Sequence, residues 1–442
     1  MAKKKKLHTT SSSQSSSIVI TRGMRRKQAR HNRCRERVPE DALIVSVDLA
    51  YENQAVCFMH HREVLGRIRE KRPLTDFAPI FEAADKLCRT YQIEKQVWAM
   101  EPAGHYWMLL AEQCERRGRP YVLVHPLSVA RQRETVHYNR EKVDPRDAEL
   151  IGTLASEAVI TETVLPRTKP QAALQDLAHA YFKARHLSAA ARAALSNFWH
   201  RLLPEFFDVI SDISCLTAMA IANALMPFSK IANVTKGQWI EQVKEQEPER
   251  QIRKKAVGRI YDLIIAVASD PHRRAGEGMP WRIRQAAERR RLFEAQKQHL
   301  REIIFEHYRA TEEAIYIDSI EGSDPFYNAL TLALIGDLKA YDDPRAIVKL
   351  AGLDVNQFQS GAMKGKSRIS HRGRNQLRAA AYLQATYLVK RNPDLKQRFF
   401  YLKQNKKFND RQAYVAIANS YLRTLHALVT TKQFYKGSQQ NQ

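Results

Sequence analysis

The chain has 442 residues, 44% of them apolar, enough for two to four domains with substantial cores. Its 72 Lys+Arg against 47 Asp+Glu give a formal charge of +25, more than solubility requires, so a polyanionic partner is expected. No run approaches the roughly 18 to 20 apolar residues that span a bilayer, and the N-terminus has no apolar signal core. Nucleic acid is therefore favoured over a membrane, and the expected location is cytoplasmic, cytosol or nucleoid. Cys34, Cys57, Cys88, Cys114 and Cys215 are scattered without CxxC spacing, suggesting neither a disulfide framework nor a zinc site.

Residues 1–40 are basic, Ser-rich and poor in large apolar side chains. They read as a disordered tail that adds phosphate affinity. From residue 41 to 160 the pattern is α/β: "ALIVSVDLA", "NQAVCFMHH" and "EVLGRIRE" read as consecutive strands, and "LTDFAPIFEAADKLCRTY" as a helix. "KQVWAME" and "PYVLVHP" are two further strands with the helix "HYWMLLAEQCERRG" between them, a mixed layer and not a sandwich.

Residues 161–315 read as a helical region. Leu174, Leu177, Tyr181, Ala184, Ser188, Ala191, Leu195, Phe198 and Leu202 step by threes and fours, a coiled-coil seam. A second long helix carries Phe293, Leu300 and Ile304, so the two can pair within one chain or between chains. Residues 316–442 read as a small all-α domain of short helices. In the gap between two of them lies "NQFQSGAMKGKSRISHRGRNQLR", residues Asn356 to Arg378.

Four carboxylates stand where phosphodiester chemistry would want them. Asp48 closes the first strand, Glu101 closes "KQVWAME", and Asp144 and Asp147 lie three apart in "DPRD", with Pro at a helix N1 position. Singly they read as a turn residue, a solvated strand end and an N-cap. Together they could hold two Mg²⁺ about 4 Å apart, with Mn²⁺ as an alternative, and so clamp the attacking and leaving oxygens of a displacement.

The order Asp48, Glu101, Asp144, Asp147 resembles the DEDD tetrad of the RuvC-like (RNase H-like) domain in transposases of the insertion-sequence one-ten family. The stretch "YDDPRAIVKLAGLDVNQFQSGAMKGKSRISHRGRNQLRAAAYLQA" is similar to that family's C-terminal transposase domain. The resemblance spans about Leu43 to Leu425. It implies a recombinase in which the four acids bind divalent metal and Ser360 attacks DNA to give a covalent intermediate. It also implies donor and target DNA as partners, an element-encoded noncoding guide RNA, and a dimeric or tetrameric assembly.

Two features depart from the family: "SIEGSDPF" stands where a Pro-Gly-[IV]-Gly turn is usual, and the basic tail and about Pro227 to Trp281 look like additions. A serine hydroxyl needs a base or a metal to act as nucleophile, and His371 is the nearest histidine in sequence. Gly361 would let a phosphate approach, with Lys364, Lys366, Arg368, Arg372 and Arg374 neutralising its neighbours. Ser367 and Ser370 are the competing serines. Two other readings stay open on the residues alone: a structure-selective nuclease that uses metal-activated water, and a nucleic-acid-binding scaffold without activity.

Overall fold

A computed structural model describes residues 22–51, 53–71, 76–137, 144–161, 169–270, 278–356, 359–360, 363–364 and 368–437. The chain divides into two compact units, Met1–Val164 and Leu165–Gln442.

The first unit is built on a five-stranded sheet in the order β3-β2-β1-β4-β5. Helix α1 (Arg22–Arg37) precedes β1 (Leu43–Leu49), β2 (Asn53–His60) and β3 (Glu63–Lys71). Then come α2 (Ala78–Tyr91), β4 (Gln96–Met100), α3 (Tyr106–Arg116), β5 (Tyr121–Leu123), α4 (Pro126–His137) and α5 (Asp144–Ser156). The first three strands form an antiparallel meander, and β4 and β5 add in parallel through the crossovers that α2 and α3 provide. This mixed sheet with flanking helices is the arrangement expected of a RuvC-like domain.

Alternation along β1 divides the sheet into two faces. Leu43, Val45 and Val47 pack with Ile80, Phe81 and Ala84 of α2 and Leu110 of α3, while Ile44 packs on the other face with Ile151, Leu154 and Ala155 of α5. Each such aliphatic or aromatic side chain contributes about 1.5–3 kcal/mol when fully buried. The strands are therefore held from both sides.

Helix α1 departs from the expected disordered tail. Cys34 and Val38 are buried in the α5-side core, Arg35 donates to Ser156 O (2.8 Å) and Arg37 to Thr161 O (3.1 Å). Two apolar anchors in "RCRERVP" and two arginines that satisfy carbonyls near the end of α5 are enough to order residues 22–37. Composition, which sees only the charge, hides this.

The second unit is helical. Long helices α6 (Lys169–Leu202) and α12 (Met279–Arg309) enclose α7 (Phe206–Val209), α8 (Leu216–Ala224), α9 (Phe228–Ile231), α10 (Lys236–Glu245) and α11 (Lys254–Ala268) in sequence. After them follow α13 (Ala314–Ile317), α14 (Pro325–Ile335), a 3₁₀ turn at Leu338–Ala340 and α15 (Pro344–Leu350). Four two-residue strands come next: β6 (Val355–Asn356), β7 (Gln359–Ser360), β8 (Met363–Lys364) and β9 (Arg368–Ile369). Helices α16 (Asn375–Arg391), α17 (Pro393–Asn405) and α18 (Asp410–Thr431) close the chain.

The seam of α6 finds its partner within the chain. Its first half (Leu174, Tyr181) shares a core with Ile304 and Tyr308, and its second half (Leu195, Trp199) shares another with Ile283 and Ala287. Midway, Ser188 donates to Glu294. The two helices are therefore antiparallel, and the one polar residue of the seam is satisfied by a carboxylate from α12.

The expected boundary at 315/316 does not separate two cores. The α6/α12 end packs continuously with Phe326, Leu330, Leu377 and Leu425, so residues 165–442 fold as one unit. Residues from about Pro227 to Trp281, which read as an addition, are integrated too: Trp239, Val257 and Ile264 are wholly buried in the second core.

Candidate active site

Register places two of the four predicted acids, Asp48 and Glu101, side by side at one end of one sheet face. Val47 of β1 pairs in parallel with Met100 of β4, so Asp48 and Glu101 are the next residues along adjacent strands. Continuing the alternation of Ile44 and Ser46 on β1 and of Val97 and Ala99 on β4, both belong to the face that α5 covers.

Helix α5 runs antiparallel to β1. Its last residue, Ser156, lines one cleft with Ile44 near the start of the strand, and Gly152 lies over Ser46, so close that a Cβ there would fall 2.7 Å from Ser46 Oγ and 2.5 Å from Met59 Sδ. From that contact Asp147 is five residues back along the helix, about 7.5 Å, and Asp48 two residues on along the strand, about 6.6 Å. Asp147 therefore lies level with Asp48. The missing side chain of Gly152 is what lets helix and sheet come near enough for this.

Asp147 is 2% exposed. Arg133 of α4 brings both Nε and Nη2 to its Oδ1, each at 2.8 Å, and its Oδ2 is buried without a hydrogen-bond partner. A buried carboxylate oxygen is costly to leave unmatched, and a cation is a natural complement to it. An anionic oxygen of this kind is a donor suited to a hard divalent ion. Asp48 and Glu101 are half-buried, the side chain of Asp144 lies outside the description, and no group of three or more His, Cys, Asp or Glu side chains is close enough to hold a metal among the described residues.

Ser360 lies in the second unit, on a nested antiparallel ladder. Val355 and Asn356 pair with Ile369 and Arg368, and within them Gln359 and Ser360 pair with Lys364 and Met363. The serine is thus in the last described pair before the turn of a hairpin arm, where a loop between helices was expected. Two-residue strands carry no periodicity signal, which is why the sequence hid them.

The base of the arm is clamped. Ser370 N donates to Asp354 O (2.8 Å) and Ser370 Oγ to Asp354 Oδ1. His371 N reaches Gly352 O, and Arg374 N reaches Leu350 O at 2.7 Å. Gly352, at φ +64°, and Gly373 permit this contact: a Cβ on Gly373 would fall 2.5 Å from Leu350 O.

The clamp reassigns several predicted site residues. Arg374 donates Nη1 to Leu334 O at 2.5 Å, so it ties the arm to α14 and its expected phosphate role is not its principal one. Ser370 is engaged with Asp354, which sets it apart from a free nucleophile. His371 is exposed and stands in the left-handed region at φ 54°. Arg368 and Arg372 are exposed, as phosphate contacts would need. Lys364 is on β8, and Lys366 and Ser367 lie outside the described residues. Gly322, from the unusual "SIEGSDPF", packs against the Arg391–Asn392 backbone, where a Cβ would fall 2.8 Å away; it is a packing residue.

Sequence reasoning missed Arg133 and Arg378, whose Nη1 donates to Ala351 O at 3.0 Å. Neither carries a motif, and their roles appear only once α4 meets α5 and α16 meets the arm.

Two family models match the chain. A transposase model of the DEDD type, named for IS110, matches residues 45–207, and one described as "Transposase IS116/IS110/IS902 family" matches residues 314–399. Together they cover more than half of the sequence, in the order in which the acids and the serine occur. No curated protein matches it.

Proposed function

Because the chain belongs to the IS116/IS110/IS902 family of transposases, we propose that it cuts and rejoins DNA through a covalent bond between Ser360 and a DNA phosphate. Asp48, Glu101, Asp144 and Asp147 act as its divalent-metal ligands, and a noncoding RNA encoded by the element acts as its guide. What supports this reading is that Asp48 and Glu101 lie side by side at one end of the sheet face that α5 covers, with Asp147 of α5 buried and its Oδ2 unmatched.

A bound divalent ion neutralises phosphate charge and stabilises the oxygens entering and leaving phosphorus. The protein supplies the rest. The sheet fixes Asp48 and Glu101, and Arg133 fixes Asp147 through Oδ1 and leaves Oδ2 without a hydrogen-bond partner, so that it could serve as a ligand. Arg368 and Arg372 grip phosphates flanking the one attacked. Ser360 Oγ, losing its proton to solvent, then bonds to phosphorus as the bond to the leaving deoxyribose oxygen breaks and that oxygen takes up a proton; a later attack by the hydroxyl of another DNA end reverses the step and returns the serine hydroxyl. The guide RNA reading is supported by the charge of +25 together with the absence from the sequence of any recognisable helix-turn-helix, zinc finger or basic zipper.

The test is to trap the adduct. Labelled element-end DNA incubated with the full chain, Mg²⁺ and co-expressed element RNA should give a protein-linked band resistant to denaturant. The Ser360→Ala protein should give none while binding the same DNA and RNA within about twofold, since one neutral hydroxyl contributes little to phosphate affinity. Cleavage by Ser360→Ala without an adduct would return the reading to a metal-dependent nuclease. Recovery of only heterogeneous cellular RNA on purification would remove the guide.

A further inference from the structure

Helix α17 is held firmly from behind and open in front. Asn392, 1% exposed, caps it by accepting from Leu395 N and donates Nδ2 to Glu321 O at 2.9 Å. Phe399 points inward with its ring 4.7 Å from that of Tyr414, and Lys403 meets Asp410 at 2.7 Å across the corner into α18. The outward face carries Phe400, 47% exposed, and Tyr401, 50% exposed. Lys396 and Gln397 lie one turn before them and Gln404 one turn after, all exposed and on the same stripe by helical spacing. Lys406, Lys407 and Arg411 are exposed at its C-terminal end. The acids nearby include Asp394, half-buried in the first turn, Glu321, exposed beside the N-cap, and Asp410, paired with Lys403.

Two adjacent aromatic rings half in water contribute little to the fold that carries them. Single exposed apolar residues need no explanation, but here a pair is fixed on a rigid helix among cations and amides. Flat rings stack on bases, lysines match phosphates, and glutamine amides suit base edges, which is the equipment for holding unpaired nucleotides. A duplex offers no base face to such rings. A protein partner would be expected to meet a larger apolar patch with fewer lysines. The family match ends at Phe399, so the two rings fall just outside it.

We propose that this face of α17 is a stacking platform for unpaired bases of a single-stranded segment, either of an RNA or of melted DNA. The proposal rests on nucleic acid being the partner, and on neither Ser360 nor the acids. Full-length protein is titrated into fluorescein-labelled short single-stranded RNA, single-stranded DNA and duplex DNA, and anisotropy is read at two salt concentrations. Phe400→Ala with Tyr401→Ala should weaken one or both single-stranded probes about tenfold or more. Duplex binding should stay within about twofold and the salt slope should not change, because no charge is removed.

Lys396→Ala with Lys407→Ala should weaken binding with a shallower salt slope. Phe400→Tyr with Tyr401→Phe keeps both rings and should bind as the parent does, which guards against a folding artefact in the alanine pair. Loss confined to the RNA probe or to the DNA probe identifies the source of the bases. Unchanged affinity for both single strands, or an equal loss on duplex, overturns the proposal. So does a fall in solution mass of the alanine pair by light scattering, which would place a second copy of the chain on the rings. The Ser360 adduct assay on duplex ends is independent of all these outcomes, so this proposal and the catalytic reading can fail separately.

Discussion

The two units place their chemistry by opposite means. In the first, Asp48 and Glu101 are successive positions on hydrogen-bonded parallel strands, and Asp147 is set level with them by a helix whose approach is limited only by the hydrogen of Gly152. Asp48 and Glu101 directly continue buried strands of the sheet, and Asp147 is a buried residue of the helix that covers it. In the second unit Ser360 pairs with Met363 in two-residue strands, and described backbone bonds from Ser370, His371 and Arg374 to Asp354, Gly352 and Leu350 tie the root of this stretch. Metal ligands need placement to a fraction of an ångström, and strands and helices provide it. On the proposed reading Ser360 bonds to one DNA end and then releases it to another, which suits a short ladder tied to the unit at its root.

The sharpest way to break that contrast is to remove one proposed ligand from the sheet. Asp48→Asn keeps shape and hydrogen bonding but exchanges an anionic oxygen for a weak neutral one. Adduct formation with Mg²⁺ should fall roughly 10³-fold or more, as for other residues that act as a unit, with thermal stability close to the parent. Retained activity would remove Asp48 from the ligand set.

The second unit is tested in its seam. Leu195 is wholly buried beside Trp199, in a core shared with α12. Leu195→Glu should therefore cost more than about 4 kcal/mol and unfold that unit. If instead the protein stays folded and only its solution mass falls, the seam faces a second chain and the antiparallel pairing within the chain is wrong.

Arg133→Met asks how far the metal reading of Asp147 extends. It leaves a carboxylate 2% exposed with neither of its present hydrogen bonds. Breaking a buried pair by removing one partner costs about 3–5 kcal/mol. If Oδ2 faces a metal position, Mg²⁺ should restore part of that loss, and the metal-induced rise in melting temperature should be larger in the variant than in the parent. Equal rises would show that Asp147 is a structural partner of Arg133 and no ligand.

Legibility in the sequence followed the length of the pattern. The strands around Asp48 and Glu101 carry five to nine residues of β-branched and apolar alternation, and their order was readable. The α6 seam was readable as a seam, but not its partner, because threes and fours do not say which chain supplies the facing helix. The hairpin of Ser360 left no periodic trace, and its glycines and basic residues read equally well as a phosphate-gripping loop. Helix α17 has Asn392 as N-cap and a proline at N1, but its outward face carries two aromatic rings where an amphipathic helix would be polar, which weakens its hydropathy contrast. Arg374 and Arg133 could not be assigned from charge alone: what an arginine does depends on the carbonyl or carboxylate that the fold brings to it.

The smallest expected effect distinguishes the units by pH. Burial pushes the Cys57 thiol up from 9.0 to about 11 and the Cys114 thiol to about 12, and both lie in the first unit. In the second unit burial pushes the Tyr341 hydroxyl from 10.0 to about 12, and burial likewise raises Tyr308 and Tyr421. A group whose pKa is raised on folding binds its proton more tightly in the folded state. Its contribution is complete below the unfolded value and is lost as pH rises through the folded one. The first unit should thus begin to weaken above about pH 9, and the second above about pH 10. Hydrogen exchange at pH 9.5, corrected for intrinsic rates, should show faster opening of β2 and α3 with α14 and α18 unchanged. Cys57→Ala with Cys114→Ala should remove the difference, a small overall loss of packing aside. Simultaneous weakening of both units would mean that they unfold as one cooperative body, and the division between a rigid acid-bearing sheet and an independently stable helical unit would not hold in solution.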